Sequence, residues 1–506
     1  KSQHLTMSIS LTSLSIVLTI LLSLIALSRQ DLPVHCEFPN LVGTWEFKLT
    51  PQNYDVDFIT TKCEQRTPLD EIVSGPLNTM KVTFTGPNIA KQIAPTEETG
   101  TFTMVYDQGF QFWLNGNEYF ANFNFSQSGS KVSSYCYETL TGWYNTDEQA
   151  SKKWGCFRGV KVAEADGSRT RMHLMSNEHQ LPQRSQSQEL YRSPKGFVKR
   201  INTEQNLWTA KEYPELWDKM TVSEAQAKLG IPLSKVRVEG HQRHMQLMRQ
   251  YQKQQESEGL LVRSDRKLPK NFSWRDYHNQ TFVPDVRSQG SCGSCYAFGS
   301  TGSAMGRVRV QTQNAKQTHF SPQDLMSCYN GAKSEGIFSQ RCEGGFPFLM
   351  GKRARQVGFN TEECFPYEAK DGKCSDARCH KPTFVKEYGY LGGYYGASTE
   401  QLMMENIYDF GPLAVNVQAT QGWFHYSHGI YREPSFDTSS VDPKFEATNH
   451  IVVIVAWGED ETTGTKFWEL QNSWGSSWGE QGYMRIVRGE DMCTIEHQTV
   501  HYNMDV

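Results

Sequence analysis

Two cysteines stand three residues apart in RSQGSCGSCYAFG, residues 287–299, a stretch otherwise made of small and polar residues. A zinc site needs a second pair of Cys or His ligands at similar spacing, whereas the other cysteines are scattered singly. A thioredoxin-like redox pair follows a strand, and here a polar loop precedes the pair. The interpretation that fits is one structural cysteine, Cys292, beside one reactive thiol, Cys295.

The sequence CYAFGSTGSAMGRVRVQTQ predicts a helix that begins near Cys295 and buries Ala297, Ala304 and Val308. A cysteine at a helix N-terminus has its thiolate stabilised by the helix dipole, and a neighbouring histidine can hold its proton. Cys295 is therefore the predicted nucleophile, and Cys292, in the loop before the helix, is the predicted structural residue.

A thiol nucleophile needs a base, and TNHIVVIVAWG places His450 at the start of a strand apolar enough to be buried. A lone histidine at a strand start is more often structural. The motif FWELQNSWGSSWGEQGYMRI then supplies Asn472, whose amide can orient the imidazole, and two tryptophans that can shield this bond from water. Gln289 can join the Cys295 backbone N–H as an oxyanion donor. Together these residues predict a thiol acyl-transfer site.

The composition restricts the classes of partner and the compartment. The net charge is −4 over 506 residues and no long single-sign run appears, so a nucleic-acid-binding footprint is not indicated. Residues 11–27 are apolar apart from Ser and Thr, which predicts a signal peptide over residues 1–30; the alternative is a membrane anchor, which needs ~20 apolar residues. Passage through the secretory pathway predicts oxidised cysteines and glycosylation at the sequons of Asn124, Asn271 and Asn279.

The cysteines divide the rest of the chain into three regions. Residues 31–163 alternate apolar and polar residues between turns, which predicts an antiparallel sheet or barrel whose four cysteines allow three pairings.

Residues 164–267 contain no cysteine. Thr221 and Glu224 have the spacing of a capping box before a helix, and residues 250–259 are too polar to pack. This region is predicted to be a segment that is cut out; the alternative is an ordinary linker, which rarely reaches this length. Residues 268–506 carry the chemistry.

The motifs SQGSCGSCYAF, CEGGFP, ECFPYEA, TNHIVVIVAWG and QNSWGSSWGEQGY resemble the papain family of cysteine peptidases. With DLPVHC, GTWEF and WGCFRG in the first region, the chain resembles the branch of that family that removes dipeptides. The resemblance implies an α+β fold. A papain-like catalytic domain, with a helical left part and a β-barrel-like right part, follows an antiparallel β-barrel exclusion domain and an excised propeptide. The implied domains are 31–163, 164–267 and 268–506, the last divided into a heavy chain to about 441 and a light chain from about 442.

The resemblance also assigns residues. It makes Cys295 the nucleophile, His450 the general acid and base, Asn472 the orienting group and Gln289 the oxyanion donor. It implies substrate binding by Asp31, Gly344 and Gly345, and chloride binding by the Tyr390 hydroxyl and the backbone N–H of Phe348, with no metal and no organic cofactor. The implied disulfides leave Cys295 and Cys493 free and are Cys36–Cys136, Cys63–Cys156, Cys292–Cys342, Cys328–Cys374 and Cys364–Cys379.

The expected function is that of a cysteine exopeptidase of the lysosome, the secretory granule or the extracellular space. It would release dipeptides from the free N-termini of peptides and proteins. The resemblance implies a homotetramer that an activating protease processes, with no nucleic-acid partner and no membrane association after signal removal. One alternative is an endopeptidase with an accessory β domain. Another is a catalytically silent binding protein, against which the four intact site residues argue.

Overall fold

The computed structural model describes residues 34–63, 66–128, 131–146, 153–167, 176–180, 188–229, 235–257, 266–328, 341–374, 381–436 and 448–506. The predicted signal peptide, Asp31, Cys379 and the predicted cut near residues 441 and 442 lie outside these ranges. No helix within them is long and apolar enough to cross a membrane.

The first part of the chain is a closed antiparallel barrel of eight strands, in the order β1-β2-β3-β4-β5-β6-β8-β9, with β9 pairing back to β1. Strand β7 pairs with β6 and β10 and also with β9, where Glu138 is opposite Val160. The strands are β1 Gly43–Leu49, β2 Asn78–Thr85, β3 Ile89–Ala94, β4 Glu98–Val105, β5 Gly109–Leu114, β6 Asn117–Ser128, β7 Lys131–Thr139, β8 Gly142–Thr146, β9 Trp154–Ala163 and β10 Ser176–Gln180. The barrel predicted from the alternating sequence is confirmed.

Aromatic side chains fill the barrel. Along β1 the residues alternate between the interior and the outer face, so that Trp45, Phe47 and Leu49 are buried. The Phe47 ring lies 5.4 Å from that of Phe112 and 5.5 Å from that of Phe157, across the interior. These large apolar side chains belong to one hydrophobic core that continues from the barrel into the C-terminal part, where Phe346 and Phe348 join it.

A second sheet organises the C-terminal part, in the strand order β11-β15-β18-β17-β16-β14-β19-β13, with β12 paired to β16. All of its pairings are antiparallel except β15 with β18. The strands are β11 Trp208–Ala210, β12 Phe272–Ser273, β13 Phe384–Tyr390, β14 Leu413–Val417, β15 Tyr426–Tyr431, β16 His450–Glu459, β17 Lys466–Gln471, β18 Tyr483–Val487 and β19 Thr499–Asp505. Helices pack beside this sheet, which gives the α+β architecture that the resemblance implied.

The helices are short apart from two. They are α1 Phe38–Leu41, α2 Val56–Lys62, α3 Leu69–Ile72, α4 Phe197–Glu204, α5 Pro214–Trp217, α6 Val222–Ala227, α7 Lys235–Ser257, α8 Cys295–Gln311, α9 Pro322–Ser327, α10 Pro347–Val357, α11 Glu400–Phe410 and α12 Gln421–His425. Two 3₁₀ turns are Arg341–Glu343 and Met492–Thr494. Helix α8 is buried from Cys295 to Arg309, so it is the central helix of the C-terminal part.

The middle region contains more regular structure than its composition suggests. The capping box of Thr221 and Glu224 begins α6, as predicted. In the described part of residues 250–259, α7 runs through Ser257, and Tyr251 packs against the core while Gln250, Lys253 and Gln254 are exposed as their polarity predicted. Helix α7 buries Met245 and Met248 beside Gly396, and its Tyr251 ring lies 6.0 Å from that of Phe38. A few apolar contacts with distant parts of the chain therefore hold a mostly polar helix.

The barrel and the C-terminal part meet through both polar and aromatic contacts. Tyr388 on β13 donates its hydroxyl to Glu118 of the barrel, 2.8 Å away, and Arg355 on α10 pairs with the same carboxylate. The ring of Tyr106, in the β4–β5 turn, stacks on Phe346 at 3.7 Å. Because these groups are nearly all buried, the contact fixes the barrel against the C-terminal part.

Candidate active site

Cys295 is the first residue of α8, as predicted, and it is buried and not part of a disulfide. Cys292 is bonded to Cys342, so the two neighbouring cysteines have different roles. The preceding Ser294 hydroxyl is 2.6 Å from that of Tyr367, which ties the start of the helix to a separate loop. A thiol at this position has the partial positive charge of the helix N-terminus beside it.

Close packing of α8 on β16 brings His450 to the same end of the structure as Cys295. A Cβ at Gly299 would lie 2.4 Å from a side-chain carbon of Ile451, so only glycine permits this approach. Cys295 lies one helical turn before Gly299, and His450 lies one residue before Ile451. Strand β16 is buried along nearly its whole length, as its apolar sequence predicted.

Asn472 orients the His450 ring. Its Oδ1 accepts a hydrogen bond from His450 Nε2 at 2.8 Å and another from the backbone N–H of Ser473 at 2.7 Å. This arrangement leaves Nδ1 for exchange of a proton with the thiol. The Trp474 ring centre lies 5.0 Å from that of the imidazole, and Trp478 lies 5.2 Å from Trp474. Both indoles are buried, which shields the bond from water.

Gln289 is buried beside these residues, and the loop that carries it is held by Ser473. The Gln289 backbone N–H donates to Ser473 O at 2.9 Å, and its Oε1 accepts from the Ser473 hydroxyl at 2.6 Å. With Oε1 occupied, the amide nitrogen Nε2 is left as the donor group. It donates to Cys292 O at 2.8 Å and to Lys228 O at 3.2 Å.

Lys228 is the residue at this site that the sequence reasoning missed. Its carbonyl oxygen accepts a hydrogen bond from the candidate oxyanion donor Gln289, and its ammonium lies 5.5 Å from the centre of the Trp217 ring. Burial lowers the pKa of the Lys228 ammonium to about 8. Its only sequence signal was that it follows the capped helix α6, which gives no indication of what that helix contacts.

Burial also lowers the pKa of His450 to about 4, although the hydrogen bond to Asn472 acts in the opposite direction and raises the pKa. The Lys228 ammonium acts in the same direction as burial, because a second positive charge nearby disfavours the imidazolium. Burial and the Lys228 charge therefore both favour the neutral imidazole in this form of the protein.

The middle region crosses the site in a definite direction. Trp217, before Lys228, lies 5.5 Å from Trp474 and donates its indole N–H to Phe424 O. His244, after Lys228, lies 5.9 Å from Phe38 of the barrel and contacts Tyr395 O at 3.0 Å. The chain thus runs from the Trp474 side of the site towards the barrel.

The barrel reaches the site next to Gly344 and Gly345. Gly344 has a φ of 115°, a conformation that favours glycine, and both glycines are buried. Phe346 follows directly and stacks on Tyr106 of the barrel. The two glycines assigned to substrate binding therefore lie beside the β4–β5 turn.

The residues assigned to chloride lie together behind Phe346. The Phe348 and Tyr390 rings stack at 4.5 Å, and both residues are buried. Burial, with the Tyr106 and Tyr395 hydroxyls nearby, raises the pKa of Tyr390 well above its usual value, so the phenol stays a neutral donor. Phe348 is in the first turn of α10, where backbone N–H groups have no carbonyl of their own helix to bind. This donor set fits a small anion.

The remaining assigned residues are distributed over the surface and the core. Four disulfides have the pairings that the resemblance implied, namely Cys36–Cys136, Cys63–Cys156, Cys292–Cys342 and Cys328–Cys374. Cys364 is also disulfide-bonded, and its implied partner Cys379 lies outside the described residues. Cys493 is buried and is not part of a disulfide. Of the sequon residues, Asn271 and Asn279 are exposed, whereas Asn124 is half-buried and donates to Glu138 at 2.7 Å.

Two family models match the chain. Residues 268–503 match the papain family cysteine protease model, and residues 31–161 match the model of the cathepsin C exclusion domain. Within the described ranges, no His, Cys, Asp and Glu side chains cluster in a way that could hold a metal ion.

Individual proteins are similar over nearly the whole chain or over about half of it. Cathepsin C of Schistosoma mansoni is 28% identical over 96% of this chain and 97% of its own length. Cathepsin Z of Onchocerca volvulus is 30% identical over 47% of this chain and 75% of its own length. Among solved structures, digestive procathepsin L 3 of Tenebrio molitor larval midgut is 25% identical, with a TM-score of 0.45, covering 60% of this chain and 86% of that one.

Proposed function

Because the chain belongs to the papain family of cysteine proteases and carries a cathepsin C exclusion domain, we propose that it is a dipeptidyl peptidase. It would remove dipeptides from the free N-termini of peptides and proteins. The structure described here would be its inactive precursor. The similarity to Schistosoma mansoni cathepsin C along almost the full length of both chains supports this assignment.

The observation that carries the proposal is the stacking of Tyr106 on Phe346 at 3.7 Å. This contact holds a turn of the barrel against the residues that follow Gly344 and Gly345. A barrel in this position would end the cleft on one side, so a bound peptide could extend past the site only on the Trp474 side. A site closed in this way would accept the end of a chain and would reject its interior.

In the proposed reaction Cys295 transfers its thiol proton to His450, and the resulting thiolate attacks the carbonyl carbon of the substrate's second residue. Gln289 Nε2 and the Cys295 backbone N–H donate to the developing oxyanion, while His450 protonates the leaving amine. The dipeptide then remains bound to sulfur as a thioester. His450 takes a proton from water, the resulting nucleophile releases the dipeptide, and the thiol is restored.

The precursor state would be inactive because the middle region meets the site at Trp217 and Lys228 and meets the barrel at His244. Lys228 O occupies the Gln289 amide, which is the group proposed to bind the oxyanion. The chain runs towards the barrel, whereas a substrate whose amino end meets the barrel would run away from it. The reversed direction would protect the segment from cleavage. Excision within residues 164–267 by another protease, and a further cut near residues 441 and 442, would then expose the site.

The disulfides suit a protein that passes through the oxidising secretory pathway, and we place the enzyme in the lysosome, in secretory granules or outside the cell. Glycosylation would use the exposed Asn271 and Asn279 rather than the half-buried Asn124, whose amide nitrogen donates to Glu138. The buried Tyr390 hydroxyl and the Phe348 N–H would hold a chloride ion behind the substrate's second side chain, and the assembly would be a homotetramer.

Asp31→Ala in the activated enzyme tests the proposal, since a carboxylate there would pair with the substrate's ammonium group. A charge-assisted hydrogen bond is worth roughly 1.5–3 kcal/mol, so kcat/KM for unblocked dipeptide substrates should fall ~10–150-fold. Slow cleavage of N-acetylated substrates should be unchanged, because they carry no charge to pair. An equal loss on both substrates, or a wild-type enzyme that cuts internal bonds, would favour an endopeptidase instead.

A further inference from the structure

The N-terminal segment that enters the barrel, residues 34–36, is tightly held. Val34, His35 and Cys36 are buried, and Cys36 is bonded to Cys136 of β7. The backbone N–H of His35 donates to the Ser134 hydroxyl at 2.9 Å. The covalent anchor begins only at Cys36, so Val34 and His35 depend on noncovalent contacts for their position.

The side-chain contact that holds this segment joins His35 to Asp107. Nδ1 of the His35 ring forms a hydrogen bond with an oxygen of the Asp107 carboxylate. A backbone bond runs in parallel with it, from Cys36 N to Asp107 O at 2.8 Å. Two bonds to one residue fix both the direction and the register of the segment.

Asp107 belongs to the turn that contacts the active site. It follows Tyr106, whose backbone has a φ of 52° and whose ring stacks on Phe346 at 3.7 Å. The Tyr106 ring also lies 5.4 Å from Tyr395, edge to face. Tyr106 of this turn therefore contacts Phe346, directly after the two glycines, and the next residue, Asp107, holds the N-terminal segment.

We propose that His35 and Asp107 are positioning residues for the selectivity of the active site towards substrates with a free amino group. The inference rests on the proposed dipeptidyl peptidase function. The hydrogen bond between His35 and Asp107 holds the N-terminal segment against the turn that contacts Phe346. The pair therefore determines the distance between this segment and the cleft. Neither residue touches the reacting atoms; both act through the backbone that they hold.

The test compares His35→Ala and Asp107→Ala with two conservative variants of the activated enzyme. The side-chain nitrogen of asparagine lies close to the place of His Nδ1, so His35→Asn keeps a donor; Asp107→Asn keeps an acceptor. Glu46→Gln is the control, because it alters an exposed ion pair with Lys81 on the same barrel. Active sites are counted by thiol alkylation, and kcat and KM are measured on an unblocked dipeptide substrate and on its N-acetylated form.

Both alanine variants should lower kcat/KM for the unblocked substrate about 10-fold, the smaller end of the effect of a charge-assisted hydrogen bond. The loss should result from a higher KM, with kcat unchanged. The kinetic constants for the acetylated substrate, and those of the control variant, should equal the wild-type values. The two asparagine variants should recover most of the loss. The inference would be overturned if the alanine variants left the ratio of kcat/KM between the unblocked and the acetylated substrate unchanged, whether through an equal loss on both or through no loss. Failure of the asparagine variants to recover activity would also overturn it. A wild-type enzyme without preference for the unblocked substrate would instead overturn the proposed function, and this inference with it.

Discussion

Truncation of Trp217 should open the precursor without unfolding it. The Trp217 side chain is buried in the precursor: its ring lies 4.8 Å from Phe424 and 5.5 Å from Trp474, and Nε1 donates to Phe424 O at 3.0 Å. Once the segment has left the cleft, this ring is exposed to water. The contacts therefore act on the equilibrium between the closed and open precursor.

The size of the effect follows from this burial. Replacing a buried tryptophan with alanine costs about 3–5 kcal/mol, and each ~1.4 kcal/mol changes an equilibrium constant tenfold. Trp217→Ala should thus raise the open fraction of the precursor roughly 100- to 5,000-fold. Trp217→Phe keeps an aromatic ring against Phe424 and loses the indole hydrogen bond, worth about 1 kcal/mol, so it should raise the fraction only several-fold.

The assay is the rate of alkylation of Cys295 in the intact precursor, located by mass spectrometry. The rate reports the open fraction as long as closing is faster than alkylation. Trp113→Ala is the matched control, because this half-buried tryptophan lies on β5 of the barrel. Alkylation of Trp217→Ala at the wild-type rate, with an unchanged melting temperature, would refute the role of this segment. The same reasoning fails if Trp217→Phe opens the site as much as Trp217→Ala.

Three further predictions concern single residues. Cys295→Ser should abolish turnover and leave the melting temperature unchanged, since an alcohol is a poor nucleophile here; appreciable residual peptidase activity would contradict the assignment. Cys292→Ala should lower the free energy of unfolding by about 2–5 kcal/mol, measured by denaturant titration, and an unchanged midpoint would argue against a stabilising bond to Cys342. Burial lowers the pKa of His244 to about 4, below its ordinary value of about 6.5, so docking of α7 is fully favoured above pH 6.5 and should weaken about tenfold per pH unit down to pH 4. Hydrogen exchange of α7 in the full-length Cys295→Ser precursor should show this, and His244→Phe should remove the pH dependence.

Local sequence was sufficient for the elements that carry the chemistry. The alternation along β1, the capping box before α6 and the apolar run of β16 are periodic or short-range signals, and the structure follows each of them. Four candidate site residues could be identified without coordinates, because each lies within a short motif that positions it locally. They are Gln289, Cys295, His450 and Asn472. These signals hold because a period of two, or a cap, depends on neighbouring residues alone.

Other features depended on residues far apart in sequence, and only the tertiary structure decided them. Four cysteines in the first region allow three pairings, and closure of the barrel selects the two that form. Helix α7 has a mostly polar sequence, and it packs because Phe38 and Gly396, both far away in sequence, supply its contacts. Lys228 has no local signal, since its carbonyl meets Gln289 only after the segment crosses the cleft. Burial and long-range hydrogen bonds are properties of the folded arrangement, so no pattern within one segment contains them.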